Sequence, residues 1–266
     1  MTTTLGAIFP PDLPPERLRP VALAAEQAGL EQLWLWEDCF KESGLASAAA
    51  ILAWTERLQV GIGLLPVPLR NVALTAMELA TLQRLFPGRL VAGVGHGVLD
   101  WMGQVGAAVE SPMTLLREYT VALRQLLHGA SVSTSGRYVR LDAVALDWPP
   151  TEAPPLLVGA VKPRTIALAG ELADGVILTG DTSPADLRAA MAHLRAGAVT
   201  GDRAGTGAVV VFVAVPASAG AVEVADRIAE FVEAGATHPI LLAVDEGRPL
   251  ESFVEFVAAE VRPLVP

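Results

Sequence analysis

The chain has a single cysteine, Cys39, which excludes a disulfide framework and a cysteine-rich metal site. Histidine is scarce too: the 4 present are scattered and form no HxxxH pair, which argues against a zinc enzyme. Basic residues are outnumbered, with 19 Lys and Arg against 29 Asp and Glu. The resulting net charge of −10 offers no broad basic face to nucleic acid. A basic segment followed by a long apolar run is missing from the start of the sequence, so no signal peptide is expected. The longest uncharged run, Ala204–Val222, holds an apolar centre at Val209–Val215 flanked by Gly205, Gly207, Pro216 and Gly220. It reads as a buried strand between loops, not as a membrane span. The expectation is a cytoplasmic protein whose partners include no membrane and no nucleic acid.

What the sequence does contain is apolar surface to bury. Hydrophobic residues make up 52% and charged residues 18%, with a mean hydropathy of +0.45, which excludes intrinsic disorder. Short β-rich runs alternate with longer helical patterns from end to end. The expected strands are Leu5–Phe9, Gln32–Trp36, Leu58–Leu65, Leu90–Val94, Leu156–Val158, Gly175–Leu178, Ala208–Val215 and Ile240–Val244. Helices are expected at Pro15–Ala28, Gly44–Arg57, Val72–Phe86, Ser111–His128, Pro163–Ala173, Ser183–Ala196, Ala221–Ala234 and Leu250–Val261. A β excursion falls within Gly129–Pro155, and Gly197–Gly207 reads as a turn-rich loop. Several strands are near-continuous Val, Leu, Ile and Ala, as expected when both faces are buried. This pattern predicts an α/β fold, a (β/α)8 barrel forming a single domain over residues 1–266.

Such barrels place their active sites at the C-terminal ends of the strands. Strand one ends at Phe9, and strand two runs into Trp36-Glu37-Asp38-Cys39-Phe40. Strand three ends in Gly63-Leu64-Leu65-Pro66 and strand four in Gly95-His96-Gly97. Strand five leads into Gly159-Ala160-Val161-Lys162, strand six into Thr179-Gly180-Asp181, and strand eight into Val244-Asp245-Glu246. Gly63, Gly95, Gly159 and Gly180, at four strand mouths, are expected to line one cavity for a planar or phosphorylated ligand. Taken singly, any of them could simply make a tight turn. Adjacent residues on an extended chain point to opposite sides, so only one of Glu37 and Asp38 faces the barrel axis. Either could instead cap a helix or pair with an arginine. His96, between two glycines, is the candidate for acid–base or hydrogen-bonding work. Arg70 and Lys162 are the cations placed to hold an anion, or else solvated surface groups.

These motifs resemble the bacterial luciferase-like superfamily, in particular its oxidoreductases that use the deazaflavin coenzyme F420. The resemblance rests on Gly29-Leu30-Glu31-Gln32-Leu33-Trp34, on Val60-Gly61-Ile62-Gly63-Leu64-Leu65-Pro66 with Arg70-Asn71, and on Ala76-Met77-Glu78-Leu79-Ala80-Thr81-Leu82. It continues through Gly88-Arg89-Leu90-Val91-Ala92-Gly93-Val94-Gly95-His96-Gly97 and Leu168-Ala169-Gly170-Glu171-Leu172-Ala173-Asp174-Gly175-Val176-Ile177-Leu178. It implies a short barrel of this type with a flavin-like ring at the strand ends, and a non-prolyl cis peptide at Gly63–Leu64. Together with the strand ends, it gives an expected cofactor site formed by Phe9, Gly63, Leu64, Leu65, Gly95, Gly97, Gly159, Ala160, Val161, Lys162, Thr179 and Gly180. The phosphate would be held by Gly159–Lys162 and Thr179-Gly180.

The expected activity is hydride transfer between coenzyme F420 and a small organic substrate, with Asp38, Glu37 and His96 catalytic. Glu37-Asp38 stands where relatives often have Asp-His. Alignment puts Asp38 on the histidine, nearer the ring, so Asp38 is expected to handle the proton with Glu37 orienting it. An FMN-dependent monooxygenase and a non-catalytic flavin-binding barrel are the alternatives. The partners implied are a small-molecule substrate and, compatibly, a second copy in a homodimer; no metal is implied.

Overall fold

Eight apolar strands pair in parallel and close into a ring, in a computed structural model that describes residues 3–245 and 247–265. Glu246, expected at the mouth of the last strand, lies outside the described residues. In chain order the first elements are β1 (Gly6–Phe9), α1 (Leu18–Ala28), β2 (Gln32–Leu35), α2 (Gly44–Trp54), β3 (Gln59–Pro66), α3 (Val72–Leu85) and β4 (Leu90–Gly95). Next come α4 (Leu99–Gln104), α5 (Pro112–Leu127) and the hairpin β5 (Val132–Ser135) and β6 (Arg140–Val144). The chain then continues through β7 (Leu156–Gly159), α6 (Pro163–Leu172), β8 (Gly175–Leu178), α7 (Pro184–Thr200), β9 (Ala208–Val215), α8 (Ala221–Ala234), β10 (His238–Ala243) and α9 (Leu250–Phe256). Around the barrel the order is β1-β2-β3-β4-β7-β8-β9-β10, and β10 pairs back onto β1 through Gly6 with Ile240 and Ala7 with Leu241. The expected (β/α)8 barrel is the observed fold, and the hairpin β5–β6 is the expected excursion.

The pleat divides the core into two layers. Ile8, Trp34, Leu157, Ile177, Val210, Phe212 and Ile240 point into the barrel and pack on one another. Their chain neighbours, including Phe9, Leu33, Leu35, Val209 and Val211, point outward and pack beneath the helices. Trp34, the largest of the fully buried side chains, needs room, and the adjacent strand provides it at Gly61, where a Cβ would overlap the indole ring.

Two segments depart from expectation. The sequence pattern places Gly197 at the start of a turn-rich loop, yet α7 continues through it to Thr200. The glycine is there for packing. A Cβ on Gly197 would overlap the carbonyl of Ala167 on α6, and one on Gly170 would overlap the carbonyl of Leu194 on α7. The two helices therefore touch backbone to backbone. Gly197→Ala is expected to cost at least about 1–3 kcal/mol, the range for overpacking, read as a lower denaturant midpoint at unchanged m-value. The second departure is α4, a short helix in the loop after β4. Its six residues fall below the length at which periodicity identifies a helix.

Candidate active site

Parallel strands bring all their C-terminal ends to one face, and a cavity of about 450 Å³ opens there. Asp38, His96, Gly63, Leu64, Gly97, Gly159, Ala160, Val161, Lys162, Thr179 and Gly180 line it together. Strand-two parity holds past the end of β2: Trp36 and Asp38 reach the cavity on the side of Trp34, and Glu37 turns away. The peptide between Gly63 and Leu64 is cis, as is that between Cys39 and Phe40. Pairing of β3 with β4 shifts register between Ile62 and Leu65, so the consecutive residues Gly63 and Leu64 both face the cavity.

Four expected residues are not in the lining. Phe9 and Leu65 are sent outward by the pleat and lie buried beneath the helices, 0% and 1% exposed. Gly95 does not reach the cavity surface, and its role is steric: a Cβ there would come 2.5 Å from Leu64 Cδ2. A Cβ on Gly159 would overlap the same methyl. These two glycines make room for Leu64, whereas a Cβ on Gly180 would fit without overlap, meeting Phe212 O at 3.7 Å.

Glu37 is the fourth, and its surroundings explain it. Arg70 Nη1 donates to Glu37 Oε1 at 2.6 Å and Arg70 Nη2 to Oε2 at 3.0 Å. The same Oε2 accepts from the backbone N–H of Gly44 at 2.8 Å, satisfying a donor at the start of α2. Arg70 Nε also lies 3.7 Å from Glu78 Oε2. Glu37 thus caps a helix and pairs with an arginine at once, and Arg70 is committed to carboxylates of the protein. Neither is offered to a ligand.

Sequence reasoning missed several lining residues: Trp36, Pro66, Val98, Trp101, Thr165, Ile177 and Phe212. Phe212 packs against Trp36 with ring centroids 5.3 Å apart and against Trp34 at 6.0 Å, giving the cavity an aromatic floor. Counting alternate residues along the strand would have found Phe212, two positions after inward-facing Val210. Trp101 sits on α4, whose existence the sequence did not signal.

The polar groups of this apolar cavity are tuned by burial. Desolvation raises the Asp38 carboxyl above its ordinary pKa, with Lys41 opposing the shift and Asp12 adding to it. Burial lowers the His96 pKa, leaving a neutral imidazole at pH 7. Burial, reinforced by Glu37 and Asp38, raises the Cys39 thiol and keeps it protonated, so it is not a ready nucleophile. His96 Nδ1 and Trp36 Nε1 are both buried with no hydrogen-bond partner. Unpartnered buried donors and acceptors are costly, so two on one cavity mark it as a place for a polar ligand. Thr179 Oγ1 donates to Asp181 Oδ1, while Lys162 stands immediately before Pro163, at the start of α6.

Residues 3–245 match the luciferase-like monooxygenase family. The chain belongs to that family. Among curated relatives, the 5,10-methylenetetrahydromethanopterin reductase of Methanolobus tindarius is 29% identical over 196 residues, covering 73% of this chain and 59% of the relative. The F420-dependent glucose-6-phosphate dehydrogenase of Kineococcus radiotolerans is 34% identical over 181 residues, covering 62% of this chain and 52% of the relative. The chain therefore spans only between half and three-fifths of these relatives' length. Among solved structures, an F420-dependent secondary alcohol dehydrogenase in complex with an F420–acetone adduct superposes with a TM-score of 0.89 at 18% identity, covering 100% of both chains. That likeness is one of fold. Among the described residues, no helix is long and apolar enough to cross a membrane.

Proposed function

We propose that this luciferase-like barrel, working as a single domain, is an oxidoreductase that passes a hydride between coenzyme F420 and a small organic substrate. The observation that carries this reading is the pair of unpartnered buried ring nitrogens, on Trp36 and His96, in an apolar cavity that also holds a carboxyl whose pKa burial raises, Asp38. A planar heterocycle with polar edges fits such a surface, and the curated relatives named above agree with it. When bound, the deazaflavin supplies a ring that accepts or gives up a hydride. The chain's own residues do the rest. Trp36, Leu64 and Phe212 form an apolar seat that excludes water. Asp38 takes or returns the accompanying proton at its carboxyl oxygen, aided by a pKa moved toward neutrality. Neutral His96 hydrogen-bonds a ring or substrate oxygen. Lys162, with the backbone of Gly159–Val161 and Gly180, holds the cofactor phosphate at the start of α6.

Fluorescence titration of the protein with coenzyme F420, FMN and a nicotinamide cofactor tests this reading. Saturable F420 binding is expected. Tight FMN binding without F420 binding would move the protein to the monooxygenase reading, and binding of neither would overturn both. Lys162→Ala should weaken F420 by about 1.5–3 kcal/mol, the range for charged hydrogen bonds, and unchanged affinity would make Lys162 a surface group.

A homodimer is the second part of the proposal. Met77 and Leu85 of α3 and Trp148 line one surface groove and are largely exposed, as is Leu74 on the same helix face. Light scattering should give twice the chain mass, and Met77→Lys should give a monomer.

A further inference from the structure

The loops after β2, β4 and β7, on the barrel face where the cavity opens, carry exposed apolar side chains, of which Val98 and Val161 line the cavity itself. Phe40 follows β2, Val98 and Leu99 follow β4, and Val161 follows β7; they are 65%, 46%, 63% and 60% exposed. Below them, Trp101 and Pro66 continue the apolar wall into the cavity. Exposed bulky apolar groups gathered at the entrance of a site point to what enters it.

Charge inside is sparse. Among the described lining residues the formally charged side chains at pH 7 are Asp38 and Lys162, of opposite sign. The other cations near the strand ends lie outside this lining: Arg164, on the first turn of α6, is exposed, and three more are engaged by the protein. Arg70 is held by Glu37 and Glu78, and Lys41 by Asp12. Arg248 donates to the carbonyls of Ala217 and Ala219. With Lys162 on the cofactor phosphate, no lining cation is left for a second anionic group. A phosphorylated substrate would enter a low-dielectric space whose remaining formal charge is a carboxyl, with nothing to offset its desolvation.

We infer that the site takes an uncharged, largely apolar molecule bearing one carbonyl or hydroxyl group, and that it rejects phosphorylated substrates; this rests on the deazaflavin reading above. The alkyl part packs on Val98, Trp101 and Val161, and the oxygen turns inward toward His96 and Asp38. The phosphate specificity in the name of the Kineococcus relative does not carry over, because the cations it would require are not in this lining.

The test is calorimetric binding of the 2-alkanones from 2-butanone to 2-octanone, beside glucose 6-phosphate, to protein carrying F420. The dissociation constant should fall about three- to fourfold with each added methylene, as burial of apolar surface requires. Glucose 6-phosphate should give no heat above dilution. Leu99→Asp, beside the lining residue Val98, should weaken 2-octanone about tenfold while leaving 2-butanone nearly unchanged. A flat alkanone series, or glucose 6-phosphate binding as tightly as 2-octanone, overturns the inference and leaves the cofactor reading standing. If F420 itself does not bind, the cofactor reading fails. The same series on the bare protein then decides the inference separately, a graded series upholding an apolar site and a flat one overturning it.

Discussion

Asp38→Asn is expected to lower turnover by about 10²–10⁴-fold, the scale of general acid–base catalysis, while F420 affinity changes little. The asparagine keeps the size and the hydrogen-bonding edge of the carboxyl but cannot carry its proton. Burial raises the Asp38 pKa, so the pH profile of kcat/KM should show a limb above the ordinary carboxylate range that disappears in the variant. Stability should move the other way, and the sign follows from linkage. In the unfolded chain Asp38 ionises at its ordinary pKa, whereas in the fold the charged form is penalised. Above the folded pKa the native protein therefore bears a cost that asparagine escapes, and Asp38→Asn should melt higher. Below the unfolded pKa both forms are neutral and the difference should vanish. Full turnover in Asp38→Asn would send the proton through water or His96 and remove Asp38 from the mechanism.

Arg70→Met is expected to destabilise the fold by about 3–5 kcal/mol, the cost of leaving a buried charge without its partner. The side chains are 17% exposed in Arg70 and 9% in Glu37, so little solvent reaches the pair to screen the loss. Arg70 also faces Glu78, a carboxyl already pushed upward by burial, and its removal strands two acids at once. Glu37→Gln should cost less, because the amide oxygen can still accept the N–H of Gly44 and the arginine keeps Glu78. The double variant should lose less than the sum of the two, since both remove the same contact. The readouts are the denaturant midpoint and F420 affinity, which falls if the Glu37–Arg70 clamp positions Trp36 and Asp38. A loss under about 1 kcal/mol would reclassify the pair as a surface salt bridge.

Strand two shows how far local pattern reaches. Alternation along an extended chain is a covalent property, so Trp34, Trp36 and Asp38 were legible on one side and Glu37 on the other. The same alternation applied to β1 and β9 would have sent Phe9 outward and Phe212 inward. The rule that chemistry gathers at strand ends instead drew Phe9 into the site, and Phe212 was passed over. The glycines tell a second lesson. Gly63 and Gly180 sit at the cavity as expected, but Gly95 answers to Leu64 across strands, and Gly197 to a carbonyl on another helix. A glycine announces that something comes close; it does not say what. Arg70 was recognised as a cation near the site, and only the folded chain showed that Glu37, 33 residues earlier, had claimed it.

By itself the sequence determined the alternation of apolar strands and amphipathic helices, the number of strands, the excursion before β7 and the ends at which chemistry gathers. These follow from periodicities of two and 3.6 residues and from local breakers, all readable within a short window. Tertiary structure decided which carboxylate faces the cavity with its pKa raised, which cation remains for a ligand, and which aromatic rings floor the site. Those outcomes depend on closing β10 onto β1 and on desolvation by residues far apart in sequence, and neither is a property of any short stretch of chain.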